Sequence, residues 1–391
     1  MTDLSPRAQA RFEQMRSWRR HVHRFPELAF QEEGTARYVV EALDGLGFRV
    51  QERVGRTGVI GEIGAGEPLV ALRADMDALP IQEQSDAPYA SCVPGVMHAC
   101  GHDVHVAWLL GAAALLAEAP PPRGRVRLLF QPSEEARDDE GKSGAQRMIE
   151  DGAMAGVEAV FGLHVDAGLP LGQVKTRAGP FMAAVDPFSA VVHGVSAHGA
   201  YPEMGVDPIA ITAQVLSALY AIPSRRISAM APCVVTLGTV HGGSANNVIP
   251  GEVELTGTIR SFSPEVRERL WQEVERAFRL AEALGGRYTL EISEGYPVLE
   301  NDPDMVNLLR EVAAQVLGGQ GMLEGHLEPC SEDFALLIRA AGRGGVFAWL
   351  GGAIAGDERT HHHPRFDVDE RCLPLGAALL AGLAHRYLGH F

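Results

Sequence analysis

The chain has 391 residues, of which 46% are hydrophobic, 21% charged and 6% aromatic, and its formal net charge is −16. That length exceeds one simple core, so two domains are expected, and the acidic balance argues against nucleic acid and anionic membrane as partners. The five cysteines are odd in number and scattered, which fits a reducing compartment with free or metal-bound thiols rather than a disulfide framework.

Met1–Arg20 is polar and charged and does not read as a secretory signal. The apolar run Val106–Ala117 is too short to span a bilayer, so a cytoplasmic location is expected. Arg7–His23 carries Phe12, Met15 and Trp18 at helical spacing, and Gln31–Leu46 predicts a second helix closed by Gly47. Phe48–Val54, Val59–Ile63 and Leu69–Leu72 read as strands, the last running into Arg73-Ala74-Asp75-Met76-Asp77. There follows Met97-His98-Ala99-Cys100-Gly101-His102-Asp103-Val104-His105, and then a helix. Cys100 and His102 would point to nearly opposite sides of a helix, and they converge only if the backbone turns at Gly101. The expectation is a loop entering a helix N-terminus, where the helix dipole and a metal would each lower the thiol pKa. Val126–Phe130 is an apolar strand ending in Gln131-Pro132-Ser133-Glu134-Glu135, and Ala159–Leu163 is another ending in His164-Val165-Asp166.

Short buried strands alternating with helices predict an α/β fold with a largely parallel sheet, whose ligands bind outside the carboxyl ends of the strands. Asp75, Glu134, Glu135 and His164 fall at such ends, and a further strand, Val346–Leu350, leads toward His361-His362-His363-Pro364. Between them Ala183–His193, Asp207–Ile222, Cys233–Val240, Glu252–Phe262, Pro264–Leu284 and Tyr288–Ile292 give the order βαββαβ, a ferredoxin-like insert. The expected division is therefore a metal-binding domain over 1–181 and 294–391, interrupted by a smaller domain over 182–293. Helices are expected at Met305–Leu317, Ser331–Ala341 and Leu373–Tyr387.

Cys, His and carboxylate together suit zinc, and also cobalt, nickel or manganese. The candidate ligands are Cys100, His102, Glu135, His164 and His362. Five donors are generous for one catalytic ion and suit two. In the pair Glu134-Glu135 one carboxylate can bind metal while its neighbour stays free as a general base. Asp75 could orient a ligating histidine or cap a turn. Asp333 reads as part of a helix start with Ser331 as N-cap. His21, His23, His326 and His385 read as surface or packing residues.

Several motifs come in order: Arg73-Ala74-Asp75-Met76-Asp77-Ala78-Leu79-Pro80, Met97 to Asp103, Phe130 to Glu135, Gly162-Leu163-His164, His198-Gly199-Ala200-Tyr201-Pro202, Asn247-Val248-Ile249-Pro250, Gly257-Thr258-Ile259-Arg260, Glu332-Asp333-Phe334 and His362-His363-Pro364-Arg365-Phe366-Asp367. With them the chain resembles the M20 metallopeptidase family. Within it, the chain is similar to the amidohydrolase branch of hippurate hydrolases, N-acyl-amino-acid amidohydrolases and auxin-conjugate hydrolases. The wider family has a His where this chain has Arg73 and a bridging Asp where it has Cys100, and both departures belong to that branch. The resemblance implies two divalent ions per subunit held by Cys100, His102, Glu135, His164 and His362, with Glu134 as general base. Within His361–His363 more than one register is open, and the spacing to Pro364 favours His362. It also implies a lid or dimerisation role for the insert, with His198, Asn247 and Arg260 contacting substrate, partly from a neighbouring subunit. The expected reaction is hydrolysis of an N-acyl-amino acid to a carboxylic acid and a free amino acid, by a homodimer or dimer-based oligomer without nucleic-acid or membrane partners. The competing expectations are a dipeptidase or N-acetyl-diaminopimelate-type deacetylase with the same site, and a metal-dependent binding protein without turnover. A Glu134 carboxylate that binds no metal argues against the last.

Overall fold

The computed structural model describes residues 4–319 and 321–390. The chain divides into two compact units, one comprising Met1–Gly179, Glu300–His326 and Asp333–Phe391, the other Pro180–Leu299 and Leu327–Glu332. The ranges drawn from sequence differ by a few residues at the joints, and residues 1–3, 320 and 391 of them lie outside the described residues. They differ also at Leu327–Glu332, where Ala183 N–H donates to Glu328 O at 3.0 Å and Glu328 N–H to Phe181 O at 2.8 Å.

The first unit is built on an eight-stranded sheet. Its strands in spatial order are Arg49–Val54, Gly58–Ala65, Gly124–Gln131, Leu69–Asp75, Val157–Asp166, Gly345–Gly351, Val174–Thr176 and Met322–Glu324. The strands from Gly124–Gln131 to Gly345–Gly351 run parallel to one another, and three of them carry the unbroken apolar runs that predicted a parallel sheet, whereas Gly124–Gln131 is interrupted by Arg125 and Arg127. Leu69–Asp75 is buried along its whole length.

The helix His102–Glu118 is buried from His102 to Leu116, which explains why its sequence shows an apolar run and no polar stripe. Its neighbours are the helices Phe12–Arg24 and Cys372–His390. Met15, Trp18, Trp108, Leu110, Leu373 and Leu380 share this core, where each large side chain contributes about 1.5–3 kcal/mol by leaving water. Trp108 Nε1–H donates to Cys372 O at 3.1 Å. A Cβ on Gly376 would lie 2.4 Å from the Trp108 ring, so the closing helix can approach only with glycine there.

The second unit carries a four-stranded antiparallel sheet in the order Cys233–Gly242, Glu252–Ser261, Ala184–His193, Arg287–Ile292. With the helices Pro208–Arg225 and Pro264–Phe278 this is the expected βαββαβ order. Asp207 and Ser263 accept the first helical N–H groups and are each followed by proline, a strong helix-start signal. Burial alternates along Glu252–Ser261, whose inward Val253, Leu255 and Ile259 pack with Val215, Leu219, Leu270 and Phe278. The run expected as one helix to Leu284 divides at Arg279, whose N–H is shared between the Ala277 and Glu275 carbonyls. No helix of the described residues is long and apolar enough to cross a membrane.

Candidate metal centre

The site lies in the first unit, at the carboxyl ends of its parallel strands. Asp75 is the last residue of its strand and His164 lies inside Val157–Asp166, so both sit at the strand ends rather than just beyond them. Glu134 and Glu135 follow Gly124–Gln131, and His361–His363 lie on the connection after Gly345–Gly351. Cys100 and His102 are joined by Gly101, whose φ of 91° makes the turn that lets both face one point. A Cβ there would stand 2.4 Å from Val165 Cγ1.

Cys100 Sγ lies 3.5 Å from His164 Nε2 and 3.9 Å from His361 Nδ1. His362 Nε2 lies 3.1 Å from Glu135 Oε1, and His102 Nε2 lies 4.0 Å from the same oxygen. Two triads of donor atoms, Cys100–His102–His164 and Cys100–Glu135–His362, each fit within 4.8 Å and share the thiol. All five expected ligands are thus brought together, and His361 stands beside Cys100 as well.

The ring tautomers follow from backbone acceptors. His102 Nδ1 is 2.8 Å from Asp77 O and His164 Nδ1 is 2.8 Å from Val165 O. A carbonyl can only accept, so both Nδ1 atoms carry a proton, and each Nε2 is left as the position that takes a second proton or a metal ion. The His102 Nε2 is buried and has no hydrogen-bond partner among the described residues. A buried ring nitrogen without a partner is costly, and among these carboxylates the position calls for positive charge, a proton or the divalent cation that this donor set suits. His105 is spent differently. Its Nε2 accepts Val165 N–H at 2.9 Å and its Nδ1–H donates to Asp75 at 2.5 Å. Asp75 therefore orients His105.

Charge in the site favours a cation. Burial opposes a proton on His102, but Asp75, Asp77 and Glu135 outweigh it and push the ring up to about 10. Burial, with Glu135, Glu134 and Asp75, pushes the Cys100 thiol well above its usual range. The helix N-terminus alone therefore does not lower the thiol, because burial and the charges of three carboxylates oppose the thiolate. Burial beside His105 and His361 holds His164 neutral, the form that ligates.

Around this centre runs a set of supports. Asp77 accepts Glu134 N–H and Glu135 N–H, each at 3.0 Å. Burial tends to raise the Asp75 carboxyl, but Arg73, with Nη1 at 2.6 Å, holds it well below the usual range. Arg73 also donates to Gln131 and, at 3.0 Å, to Asp333. Asp333 is fully buried and accepts from Gln131 and Ala145, so it is a structural acceptor rather than a mere helix start. The helix begins at Phe334, and Ser331 does not cap it. Arg19, also buried, donates to Asp103 and Asp367, tying the first long helix to the segments that carry His102 and His362. His23 is no surface residue: it is buried against Asp103, at 2.8 Å. Burial opposes its charge, yet Asp103 pushes it up to about 9.

The expected substrate residues belong to the second unit. His198 pairs with Val248 in a short ladder, and Gly199 N–H donates to Asn247 O at 2.8 Å, so His198 and Asn247 are neighbours. Both are exposed. Arg260 lies on Glu252–Ser261 and donates from Nη1 to Pro329 O at 3.0 Å.

Peptidase family M20/M25/M40 matches residues 71–386. Thermostable carboxypeptidase 2 of Saccharolobus solfataricus is 40% identical over 380 residues, covering 94% of this chain and 94% of the relative. An N-acetylcysteine deacetylase of Bacillus subtilis is 38% identical over 371 residues, again covering 94% of each. The crystal structure of the Bacillus subtilis YXEP protein, a dinuclear metal binding peptidase of the M20 family, superposes with a TM-score of 0.85 at 35% identity, covering 98% of this chain and 100% of that one.

Proposed function

As a member of peptidase family M20/M25/M40 the chain is a metal-dependent hydrolase, and we propose that it cleaves N-acyl-amino acids with Glu134 as the general base. The relatives named a carboxypeptidase and a deacetylase share one demand: both names imply an amide whose nitrogen belongs to a residue with a free carboxylate. That common element defines the proposed substrate class.

Cys100, His102, Glu135, His164 and His362 would hold two divalent ions, zinc, manganese, cobalt or nickel. The observation that carries this is the buried His102 Nε2, which has no hydrogen-bond partner among the described residues and faces an acid-rich cluster of donor atoms. Such ions polarise the amide carbonyl and make water at the site more acidic. Glu134 takes the proton from the attacking water and passes it to the leaving amine. Its backbone is pinned for this by Asp77, which leaves the orientation of the side chain to the turn itself. Arg260 and Asn247 bind the substrate carboxylate, for which a guanidinium is well shaped, and His198 assists at the carbonyl oxygen. The second unit mediates a homodimer in which His198 serves the partner's site, and the enzyme works in the cytoplasm.

The test is a panel of N-acyl-amino acids, dipeptides and their carboxamide counterparts, incubated with protein loaded with each defined metal. Amine release is expected from the free acids and at least tenfold less from the carboxamides. No release from any acid with any metal would contradict the proposal.

A further inference from the structure

The turn bearing Glu134 and Glu135 is held by two carboxylates from distant parts of the chain. Asp77 takes the N–H groups of Glu134 and Glu135. The preceding N–H, that of Ser133, goes to Glu32 Oε1 at 2.8 Å across 101 residues of sequence. Ser133 has a φ of 46°, a left-handed conformation that a non-glycine residue keeps only when its surroundings impose it. Three successive N–H groups thus point at carboxylates.

Glu32 is fully buried, and burial followed by the charge of Asp77 pushes its carboxyl up to about 7. It is also the residue that opens the helix Glu33–Gly45, yet its side chain does not cap that helix. Glu27 does this instead, accepting Gly34 N–H at 2.9 Å and Thr35 N–H at 2.8 Å. Glu32 is turned the other way, where it also accepts Phe30 N–H at 3.0 Å and the Thr57 hydroxyl at 2.5 Å. A side chain that does not cap its own helix and is buried at a cost thus gives the oxygen that accepts Phe30 N–H to the turn as well. Glu32 lies outside residues 71–386, the part matched by the family.

We infer that Glu32 is a positioning residue for hydrolysis: its carboxylate fixes the Ser133 turn and so sets the direction in which Glu134 is presented. The inference rests on the proposed role of Glu134. Glu32 touches no reacting atom and acts through the backbone.

The test uses the full-length, metal-saturated protein with three variants. Glu32→Met keeps the volume without an acceptor. Glu32→Asp keeps the charge but withdraws it by one methylene. Glu32→Gln can still accept the two N–H groups and donate to Thr57. With an N-acyl-amino acid substrate, Glu32→Met should lower kcat on the order of 10²-fold, as a displaced catalytic group does, while KM stays within about threefold. Glu32→Asp should fall between, and Glu32→Gln should restore kcat to within about threefold. The double variant Glu32→Met/Glu134→Gln should be no slower than Glu134→Gln alone, because one residue acts through the other. Amide hydrogen exchange over residues 133–135 of the metal-free protein should rise in Glu32→Met, a readout independent of activity. Unchanged kcat and exchange in a folded Met or Asp variant would overturn the inference, as would additive losses in the double variant. Should neither variant fold, the role of Glu32 is purely structural and the inference fails. A wild-type protein inactive on every substrate would sink the hydrolase proposal instead, and the exchange measurement would still decide about Glu32.

Discussion

At the scale of single residues, the centre separates donors from supports. The donors aim their ring nitrogens, sulfur and carboxylate at one another, and the supports spend theirs on backbone groups and salt bridges. Glu134 and Glu135 are adjacent in sequence, and the proposal assigns them to different tasks. Glu134→Gln should keep both ions and lose kcat on the order of 10²–10⁴-fold, the usual contribution of a general base. Glu135→Gln should lose metal, because it removes a charged donor 3.1 Å from His362. Elemental analysis and steady-state kinetics on the two purified variants separate these outcomes, and equal metal contents would contradict the assignment.

His23 provides a pH test at the same scale. Its folded pKa is raised from 6.5 to about 9, so the folded state gains from the bound proton. That stabilisation is fully present below pH 6.5 and is lost as pH rises through about 9. The wild-type unfolding midpoint should therefore fall between pH 6.5 and 9 more steeply than that of His23→Gln. Denaturant unfolding at several pH values checks this, and parallel profiles would contradict it.

At the scale of elements, three of the four parallel strands were legible as short unbroken apolar runs, and Gly124–Gln131 by the apolar Leu128–Phe130 that follows its two arginines. The short strands Val174–Thr176 and Met322–Glu324 were not, since three residues carry no period. The helix Gly144–Glu150 was missed as well. Its Ser143–Gln146 capping box stands out only once the seven residues are known to be helical. The candidate ligands could be read because each sits in a local motif. Arg73–Asp333 and Glu32–Ser133 could not, because their partners are 260 and 101 residues apart and neither side chain announces its contact locally.

The start of the helix His102–Glu118 has its own consequence. Gly101 is left-handed and sits against Val165, so Gly101→Ala adds backbone strain and a clash at the joint between Cys100 and His102. Metal affinity should drop on the order of 10–100-fold, as when the support of a ligand is removed. Competition titration against a chelating dye measures it, and an unchanged affinity would show that the turn does not set the ligand geometry.

At the scale of the whole molecule, the two units divide the proposed labour, with the metal donors in one and His198, Asn247 and Arg260 in the other. The proposed homodimer, with His198 serving the partner's site, has a complementation test. Glu134→Ala and His198→Ala are each expected to be inactive. After co-refolding, a mixed dimer would collect both defects in one site and leave the other intact. Activity should then return, with mixed dimers verified by mass spectrometry. Verified mixed dimers that stay inactive would place His198 in the site of its own subunit.

The central claim is that the Cys100 and His102 cluster holds the ions on which amide hydrolysis depends. The most direct measurement is metal content per chain alongside amine release, for wild-type protein, Cys100→Ser and His102→Ala purified in parallel. Two ions per wild-type chain are expected, with metal content and hydrolysis falling together in both variants. Variants that keep both ions, or that hydrolyse the amide without them, would contradict the account.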